Sequence, residues 1–164
     1  MQRLQTERVI LAAHISACLM PVAAPHTPAE WAAYYRLRYT VLRQPWGQPE
    51  GTERADDDEV PTTTHALLLG PDGQALGVGR LHPSGPGQAQ VRFMAVSPSA
   101  QGQGIGRQVL EYLEAAARQQ HLTEMVLHAR EQAVPFYERL GYAIVAPSHT
   151  LFGTVPHFLM SKAL

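Results

Sequence analysis

A glycine-dense loop between a strand-like run and a helix constrains this chain more than any other feature. Residues 91–107 follow the pattern of a strand, a short proline turn, a loop containing three glycines, and the first turn of a helix. Glycine allows positive φ angles and close approach of other atoms, and a helix N-terminus carries about half a positive charge. The segment therefore predicts a site where backbone N–H groups bind a phosphorylated ligand.

The spacing of the glycines excludes two common phosphate-binding loops. Counting from Gly102, a dinucleotide-binding fingerprint needs a third glycine where Arg107 stands. A nucleoside-triphosphate loop needs Lys followed by Ser or Thr after its last glycine, and Gly106 is followed by Arg107 instead. The glycines fit a different pattern, Gln-x-x-Gly-x-Gly, which runs from Gln101 to Gly106.

Composition limits the classes of partner and cofactor. The chain has 164 residues, of which 45% are hydrophobic and 16% charged, as expected for one globular domain. Its net charge is −1 without a basic run, so we expect no nucleic-acid partner. Cys18 is the sole cysteine and the eight histidines form no helical pair, so we expect neither a disulfide nor a metal.

The N-terminus allows two interpretations. Residues 15–18 resemble a lipoprotein processing site, which would place the domain outside the cytoplasm. However, Glu7 weakens the basic start of such a leader, and His14 interrupts its short apolar run. We expect residues 1–19 to be an extension before a domain at 20–164, with Met20 as an alternative start. The predicted location is cytoplasmic, without a membrane partner, since no apolar segment is long enough to span a bilayer.

Hydrophobic periodicity and turn residues predict the order β–α–loop–β–β–β–α–β–α–β–β. A helix connecting the fourth and fifth strands would make that pair parallel. The expected elements are a strand at 21–24, a helix from Pro28 to about Leu42, a loop at 44–63, strands at 65–69, 75–81 and 88–96, a helix after the glycine loop, a strand at 125–128, a helix at 133–140, and strands at 142–146 and 157–161 joined by a long connection.

Two motifs carry a resemblance to a known family. The glycine loop, preceded by the apolar-Ala-Val triplet at 94–96, resembles the coenzyme A pyrophosphate loop of the GCN5-related N-acetyltransferase (GNAT) superfamily. Residues 129–142 are similar to the family's fourth-helix motif, with matches at Ala133, Phe136, Tyr137 and Gly141. Arg130 stands where the family usually has Asn, so that Asn contact cannot be assigned to this chain.

The resemblance implies the α/β GNAT fold: a mixed, mostly antiparallel sheet of six to seven strands with a parallel β4/β5 pair and about four helices. It also implies acetyl-CoA as co-substrate, whose thioester the Val96 N–H would polarise. The residues expected to bind this co-substrate are Met94, Ala95, Val96, Gln101, Gly102, Gln103, Gly104, Ile105, Gly106 and Arg107.

Candidate catalytic residues follow from the same resemblance. Tyr137 occupies the position of the family's general acid, which protonates the departing thiolate; the alternative is a core aromatic. An amine acceptor must lose a proton, and His65, His82 and His157 have suitable side chains. We expect His157 to be the base, because the final strands flank the acceptor side of this fold.

Two arginines stand in apolar stretches where burial is expected. Arg38 and Arg80 are predicted to bind the acceptor or to support its site, the alternative being an internal ion pair. The acidic residues between Glu53 and Glu59 would suit a cationic acceptor, but a solvated loop is the simpler interpretation.

The function implied by the resemblance is transfer of an acetyl group to an amine of a small or carrier-borne acceptor, without a metal ion and with a homodimer as the candidate assembly.

A narrower resemblance rests on four short stretches, at 38–46, 78–81, 92–96 and 157–160. They look like the N-terminal acetyltransferase domain of bacterial two-domain proteins that carry a thioesterase-like hot-dog domain after it. The chain ends at Leu164, where that second domain would begin, so thioesterase activity is not implied. Two other functions stay open: a non-catalytic module that senses acyl-CoA, and a partner-binding domain.

Overall fold

The structure is a computed structural model that describes residues 21–164. The extension expected at 1–19 and the expected domain start at Met20 lie outside the described residues. Three α-helices are present in the described part: α1 (Pro28–Leu42), α2 (Ile105–Gln119) and α3 (Val134–Glu138). Single 3₁₀ turns lie at Gln44–Trp46, Pro98–Ala100 and Glu131–Ala133. About four helices were expected, so the predicted helix count is slightly high for this part of the chain.

Local sequence signals set the ends of these helices. The Thr27 side chain accepts a hydrogen bond from the Glu30 N–H at 3.2 Å, and the Thr27 N–H donates to the Glu30 carboxylate at 3.0 Å. This reciprocal capping box begins α1 at Pro28, as the sequence predicts. Helix α3 is shorter than the predicted 133–140, because residues 131–133 form a separate 3₁₀ turn before it.

Six strands form one mixed sheet in the order β1-β2-β3-β4-β6-β5. Strands β3 and β4 are parallel, and every other neighbouring pair is antiparallel. The predicted mixed, mostly antiparallel α/β architecture is therefore confirmed. The strands are β1 (Thr64–Leu69), β2 (Ala75–Gly85), β3 (Gln88–Val96), β4 (Glu124–Arg130), β5 (Ala143–Leu151) and β6 (Val155–Ala163).

Two details of the sheet differ from the prediction. The first expected strand, at 21–24, is only an isolated bridge, in which the Ala23 N–H donates to the Leu67 carbonyl at 3.0 Å. The parallel pair is consequently the third and fourth strands rather than the fourth and fifth. The final hairpin has longer strands than predicted, and its connection is a short turn at 152–154 instead of a long loop.

Helices cover both faces of the sheet, and each face has its own apolar core. Helix α2 packs its buried face on one side, around Val109 and Leu113, while α1 packs Tyr34 and Leu37 on the other. Gly79 in β2 allows α2 to approach closely, since a Cβ atom there would lie 2.9 Å from the Val109 side chain. This contact holds the start of α2, which follows the glycine loop, against the middle of the sheet.

Candidate active site

Strands β3 and β4 separate halfway along their length. Their pairing runs only from Gln88–Glu124 to Val91–Leu127, although both strands continue beyond that point. A bulge in β3 coincides with the separation: Phe93 has a φ of 53°, and the β2–β3 register shifts there. Bulges bend a strand and redirect its edge. The result is a cleft between two strand edges that face each other without pairing.

The cleft contains a cavity of about 490 Å³. Residues 94–96 and Gln101 line it from the side of β3, and Tyr137 and His157 line it from the side of α3 and β6. The structure thus brings the expected start of the co-substrate site and both predicted catalytic side chains into one cavity. These groups come from three separate parts of the sequence, at 94–101, at 137 and at 157, so only the fold brings them together.

The backbone of β3 presents a free edge to the cavity. The Ser97 N–H donates to the Leu76 carbonyl of the β2 segment at 2.8 Å, so it points away from the cleft. Because successive N–H groups alternate along an extended strand, the Val96 N–H points the opposite way, toward the cavity. A ligand lying along this edge could accept that hydrogen bond as an added strand would.

The glycine loop has the conformation that an anion site requires. Gly102 and Gly104 have φ angles of 75° and 77°, and a Cβ atom at either position would meet nothing within 4 Å. In the described residues, the N–H groups of residues 101–104 have no backbone or side-chain acceptor. Gly104 caps α2 without a side-chain hydrogen bond, so the first-turn N–H groups of the helix are also free. These donors and the helix dipole fit a phosphate or pyrophosphate group.

The remaining loop residues flank this site. Gly106 lies below Phe136, whose Cζ atom would be 3.1 Å from a Cβ added to the glycine. The Gln103 side chain donates to the Ser99 carbonyl at 3.3 Å, which braces the loop. Arg107 was expected to add charge at the rim; its Nε atom lies 2.7 Å from the Glu111 carboxylate on the exposed face of α2.

Tyr137 is buried between its aromatic neighbours and reaches the cavity. Its ring contacts Phe136 and Tyr142 edge to face, at centroid distances of 5.0 and 5.8 Å. Burial raises the pKa of Tyr137, and the nearby Arg130 guanidinium acts in the opposite direction. The phenol therefore stays protonated throughout the physiological range. In contrast to Tyr142, which donates to Glu114 at 3.1 Å, its hydroxyl has no hydrogen-bond partner among the described residues.

His157 is the only one of the three candidate bases that lines the cavity. Its Nδ1 atom lies 2.9 Å from the Val155 carbonyl, and burial lowers its pKa below the usual value, an effect that His149 and Arg130 reinforce. His65 is instead buried beside Tyr34, with its Nδ1 atom 3.0 Å from the Tyr34 hydroxyl. His82 lies in β2 and is not among the residues that line the cavity.

Two histidines that the sequence analysis did not select lie beside His157. The His149 ring stacks on the His157 ring at a centroid distance of 4.7 Å, and Ser148 connects His149 to His128 through contacts of 3.0 and 2.6 Å. His128 and His149 both line the cavity. Their positions on β4 and β5 gave no signal in the sequence, because the register of the last three strands decides which side chains meet.

Arg38 and Arg80 do not line the cavity; both are fully buried below it. Their anionic partners belong to the chain itself. Arg38 lies 3.2 Å from the Asp58 carboxylate, and Arg80 lies 3.3 Å from the other oxygen of Asp58 and also pairs with Asp57. The structure thus has the internal ion pairs that were the alternative to acceptor binding. It also corrects the expectation of a solvated acidic loop, since Asp58 is buried.

Arg38 nevertheless connects this buried cluster to the cleft. Its guanidinium lies 3.6 Å from the centroid of the Phe93 ring, the residue at the bulge that separates β3 from β4. A cation over an aromatic face is a favourable contact, and it is stronger when both groups are shielded from water. Arg38 is therefore placed to hold the bulge in position rather than to touch a bound molecule.

No helix in residues 21–164 is long and apolar enough to cross a membrane. In the same residues, no group of three or more His, Cys, Asp or Glu side chains is arranged to hold a metal ion.

The α/β fold and the cleft between its parallel strands define an acyltransferase enzyme. The chain belongs to the acetyltransferase (GNAT) family, whose family model matches residues 31–142. The uncharacterised N-acetyltransferase YjcF of Bacillus subtilis (strain 168) is 28% identical over 105 residues, which cover 64% of this chain and 74% of YjcF.

Solved structures share the same architecture. An acyl-CoA N-acyltransferase from Pseudomonas aeruginosa is 29% identical, with a TM-score of 0.73 over 88% of this chain and 98% of that one. An aminoglycoside 6'-N-acetyltransferase complexed with coenzyme A is 17% identical, with a TM-score of 0.75 over 88% and 97% of the two chains. The second likeness establishes the fold alone.

Proposed function

We propose that this protein is an acetyl-CoA-dependent N-acetyltransferase that transfers the acetyl group directly to an amine within a ternary complex. One observation carries the proposal: a single cavity joins the free edge of β3, the start of the glycine loop, Tyr137 and His157. The acceptor is a small molecule or a group borne on a carrier, and the reaction takes place in the cytoplasm, where acetyl-CoA is available.

The chain offers a suitable site for the co-substrate. When bound, acetyl-CoA supplies an acetyl group activated as a thioester. The free N–H groups of the glycine loop and the N-terminus of α2 would hold its pyrophosphate, and residues 94–96 would pair with its pantetheine arm. Arg107 would add positive charge at the rim if its side chain left its contact with Glu111 and turned toward the pyrophosphate. Coenzyme A in the structural neighbour described above supports this assignment.

The Val96 N–H would polarise the thioester carbonyl. It belongs to a rigid strand that is paired with β2, so its direction is fixed before any ligand binds. A donor held in place by the protein needs no reorganisation when negative charge develops on the carbonyl oxygen, and such a donor contributes roughly 3 kcal/mol to catalysis.

Tyr137 would supply the proton to the departing sulfur. Its raised pKa keeps the phenol protonated at neutral pH, so a proton is available beside the departing sulfur. Arg130 limits that rise, because its positive charge stabilises the phenolate left after proton transfer. The Tyr137 hydroxyl, which lacks a protein partner in the described structure, is free to make this contact.

His157 would accept the proton from the amine. A primary ammonium group has an ordinary pKa of about 10.4. At neutral pH it is therefore protonated, and it becomes nucleophilic only when a base removes its proton. The lowered pKa of His157 keeps its ring neutral and ready to accept a proton. The neighbouring His149 and Ser148 extend from the ring toward exposed positions on β5.

Release of free thiol from acetyl-CoA in the presence of a panel of amines tests the proposal. We expect amine-dependent release together with coenzyme A binding that is measurable by calorimetry. Binding without release on any amine would instead support an acyl-CoA-sensing module. Absence of both binding and release would contradict the proposed function altogether.

We further infer that, within the family, this chain is related to the N-terminal acetyltransferase domains of the two-domain proteins that carry a hot-dog domain. Residues 92–96 contribute to this inference and lie on β3 at the cleft. A pull-down with hot-dog-fold proteins as bait tests it, and failure to retain any of them would count against a partnership of that kind.

A further inference from the structure

Three arginines converge on the cavity, and the sequence analysis selected none of them for the site. Arg43 follows α1, Arg92 lies in β3 and Arg130 ends β4. Together with the three histidines described above they line the cavity, whereas no Asp or Glu is among its described lining residues. The wall of the cavity is therefore positively charged, although the whole chain has a net charge of −1.

Several other arginines in the described part of the chain are neutralised. Arg38 and Arg80 pair with buried aspartates, and Arg107 pairs with Glu111. In contrast, neither the Arg92 nor the Arg130 side chain has a carboxylate within 4.0 Å or a hydrogen bond to any described residue. Arg130 lies near the Trp46 ring, and Arg92 near the Phe93 ring, at 5.5 and 5.1 Å from the ring centroids.

Repulsion within this group acts on Arg43, whereas Arg92 is exposed to solvent. Burial lowers the pKa of Arg43, and repulsion from Arg38, Arg130 and Arg92 lowers it further. Partial burial also lowers the pKa of Arg92 and of Arg130. An anion between these side chains would remove the repulsion and accept charge-assisted hydrogen bonds from the free N–H groups.

Arg92 lies at the end of the cleft opposite to the loop that would hold the co-substrate's phosphates. Arg92 precedes Val96 by four residues on β3, whereas the glycine loop follows Val96. At roughly 3.3 Å per residue, Arg92 is displaced by about 13 Å along the strand, in the direction away from the loop. Arg92 is therefore too far from the loop to contact a pyrophosphate bound there, and it is available to a second ligand in the cavity.

The register of the sheet places one arginine directly beside the proposed base. Arg130 on β4 is the antiparallel partner of His157 on β6. Side chains of directly opposed residues begin about 4.5–5.5 Å apart on the same face of a sheet. A molecule that touches both groups would need its anion and its amine only a few bonds apart.

We propose that the acceptor is an amine that also carries a carboxylate or a phosphate, with this anion bound by Arg92 and Arg130 and the amine directed at His157. This inference rests on the proposed function, because it assigns the substrate class of the same site. Arg43 contributes charge, but two of its donors are already used by the Thr52 and Leu42 carbonyls.

Acetyl transfer to four matched amines tests the substrate class. β-Alanine carries a carboxylate, O-phosphoethanolamine a phosphate, ethanolamine a neutral hydroxyl, and putrescine a second amine. We expect kcat/KM to be at least about tenfold higher for one or both anionic amines than for ethanolamine, and lowest for putrescine. The two anionic amines distinguish a carboxylate from a phosphate site. Equal rates, or a preference for ethanolamine or putrescine, would overturn the inference.

Charge-removing variants test the binding residues. Arg92→Gln and Arg130→Gln should each raise KM for the anionic amine about tenfold while leaving KM for acetyl-CoA unchanged. Arg36→Gln, an exposed arginine of α1 outside the cavity, is the matched control and should change neither. A rise in KM for acetyl-CoA instead would show that the arginines serve the co-substrate, and would overturn the inference.

A binding measurement separates this inference from the proposed function. Calorimetric titration with β-alanine and with inorganic phosphate is performed in the presence of saturating coenzyme A, which fills the glycine loop. If no amine is acetylated, the proposed function fails, but binding that is lost in Arg92→Gln and Arg130→Gln and kept in Arg36→Gln would still support an anion site. Absence of binding by the native protein, or equal binding by all three variants, would contradict it.

Discussion

The Nδ1 atom of His157 lies 2.9 Å from the carbonyl oxygen of Val155, two residues earlier in the chain. A carbonyl oxygen can only accept a hydrogen bond, so Nδ1 must carry the proton. In the neutral ring, the lone pair is then on Nε2. The backbone of β6 therefore selects the tautomer that a general base at this position needs.

The first prediction concerns the pH dependence of turnover. Burial lowers the pKa of His157, so the ring loses its proton below the ordinary value of 6.5. We expect kcat to rise with pH and to level off with a midpoint below 6.5, since the neutral form is the active one. His157→Gln should lower kcat by about 100-fold and remove this limb of the profile.

The control for this experiment is His26→Gln, which changes an exposed histidine before α1. Its kcat and pH profile should match those of the native protein. If His157→Gln kept the same pH limb, the base would have to be another group.

The second prediction uses two buried tyrosines that differ in their hydroxyl contacts. Tyr137→Phe should reduce kcat by about 10- to 100-fold with little change in the free energy of unfolding, because its hydroxyl has no described protein partner. Tyr142→Phe should behave in the opposite way: it removes the 3.1 Å hydrogen bond to Glu114, so stability falls by about 1–2 kcal/mol while kcat is kept. Steady-state kinetics and urea denaturation of both variants separate the two roles. Unchanged kcat in Tyr137→Phe would leave this tyrosine as a core aromatic.

The third prediction concerns the glycine loop. Gly104 has a φ of 77°, where alanine is strained by about 1 kcal/mol. Gly104→Ala should therefore lower stability slightly and raise KM for acetyl-CoA severalfold, because relaxation of the loop redirects its N–H groups. Gly73→Ala is matched, since its φ of 78° lies in the β1–β2 turn and nothing lies within 4 Å of the added Cβ. It should show the same loss of stability without any change in KM, and equal KM values for both variants would argue against phosphate binding by the loop.

The fourth prediction concerns the buried ion pairs. Asp58→Asn should lower the free energy of unfolding by about 3–5 kcal/mol, because it leaves Arg38 and Arg80 buried without a shared carboxylate. Asp56→Asn, in the same loop but exposed, should change stability by less than about 0.5 kcal/mol. Urea denaturation measures both. Similar values for the two variants would show that Asp58 is not the partner on which the arginines depend.

Features of the fold that depend on neighbouring residues were predictable from the sequence. The capping box at Thr27 and Glu30 fixes the start of α1, and the positive φ angles of Gly102 and Gly104 follow from residue type and local order. Hydrophobic periodicity and turn residues predicted all six observed strands, although several of them are longer than predicted. They overestimated the segment at 21–24, because a short extended run becomes a strand only if a partner continues the pairing.

Features that depend on distant pairing were not predictable. The burial of Asp58 follows from its meeting Arg38 and Arg80, which come from a helix and a strand on either side of it in the sequence. The shared position of Arg92 and Arg130 was not predictable for the same reason, because each is an isolated charge in the sequence. Nothing in their spacing shows that β3 and β4 separate just before them and leave both side chains facing one cavity.

The sequence by itself determined the family of this protein and the loop that would bind a phosphorylated co-substrate, because both depend on residue types at short, fixed spacings. The tertiary structure alone decided which charges face the cavity and which are neutralised inside the fold. That choice depends on strand register and on the bulge at Phe93, and both are set by packing between segments far apart in the chain.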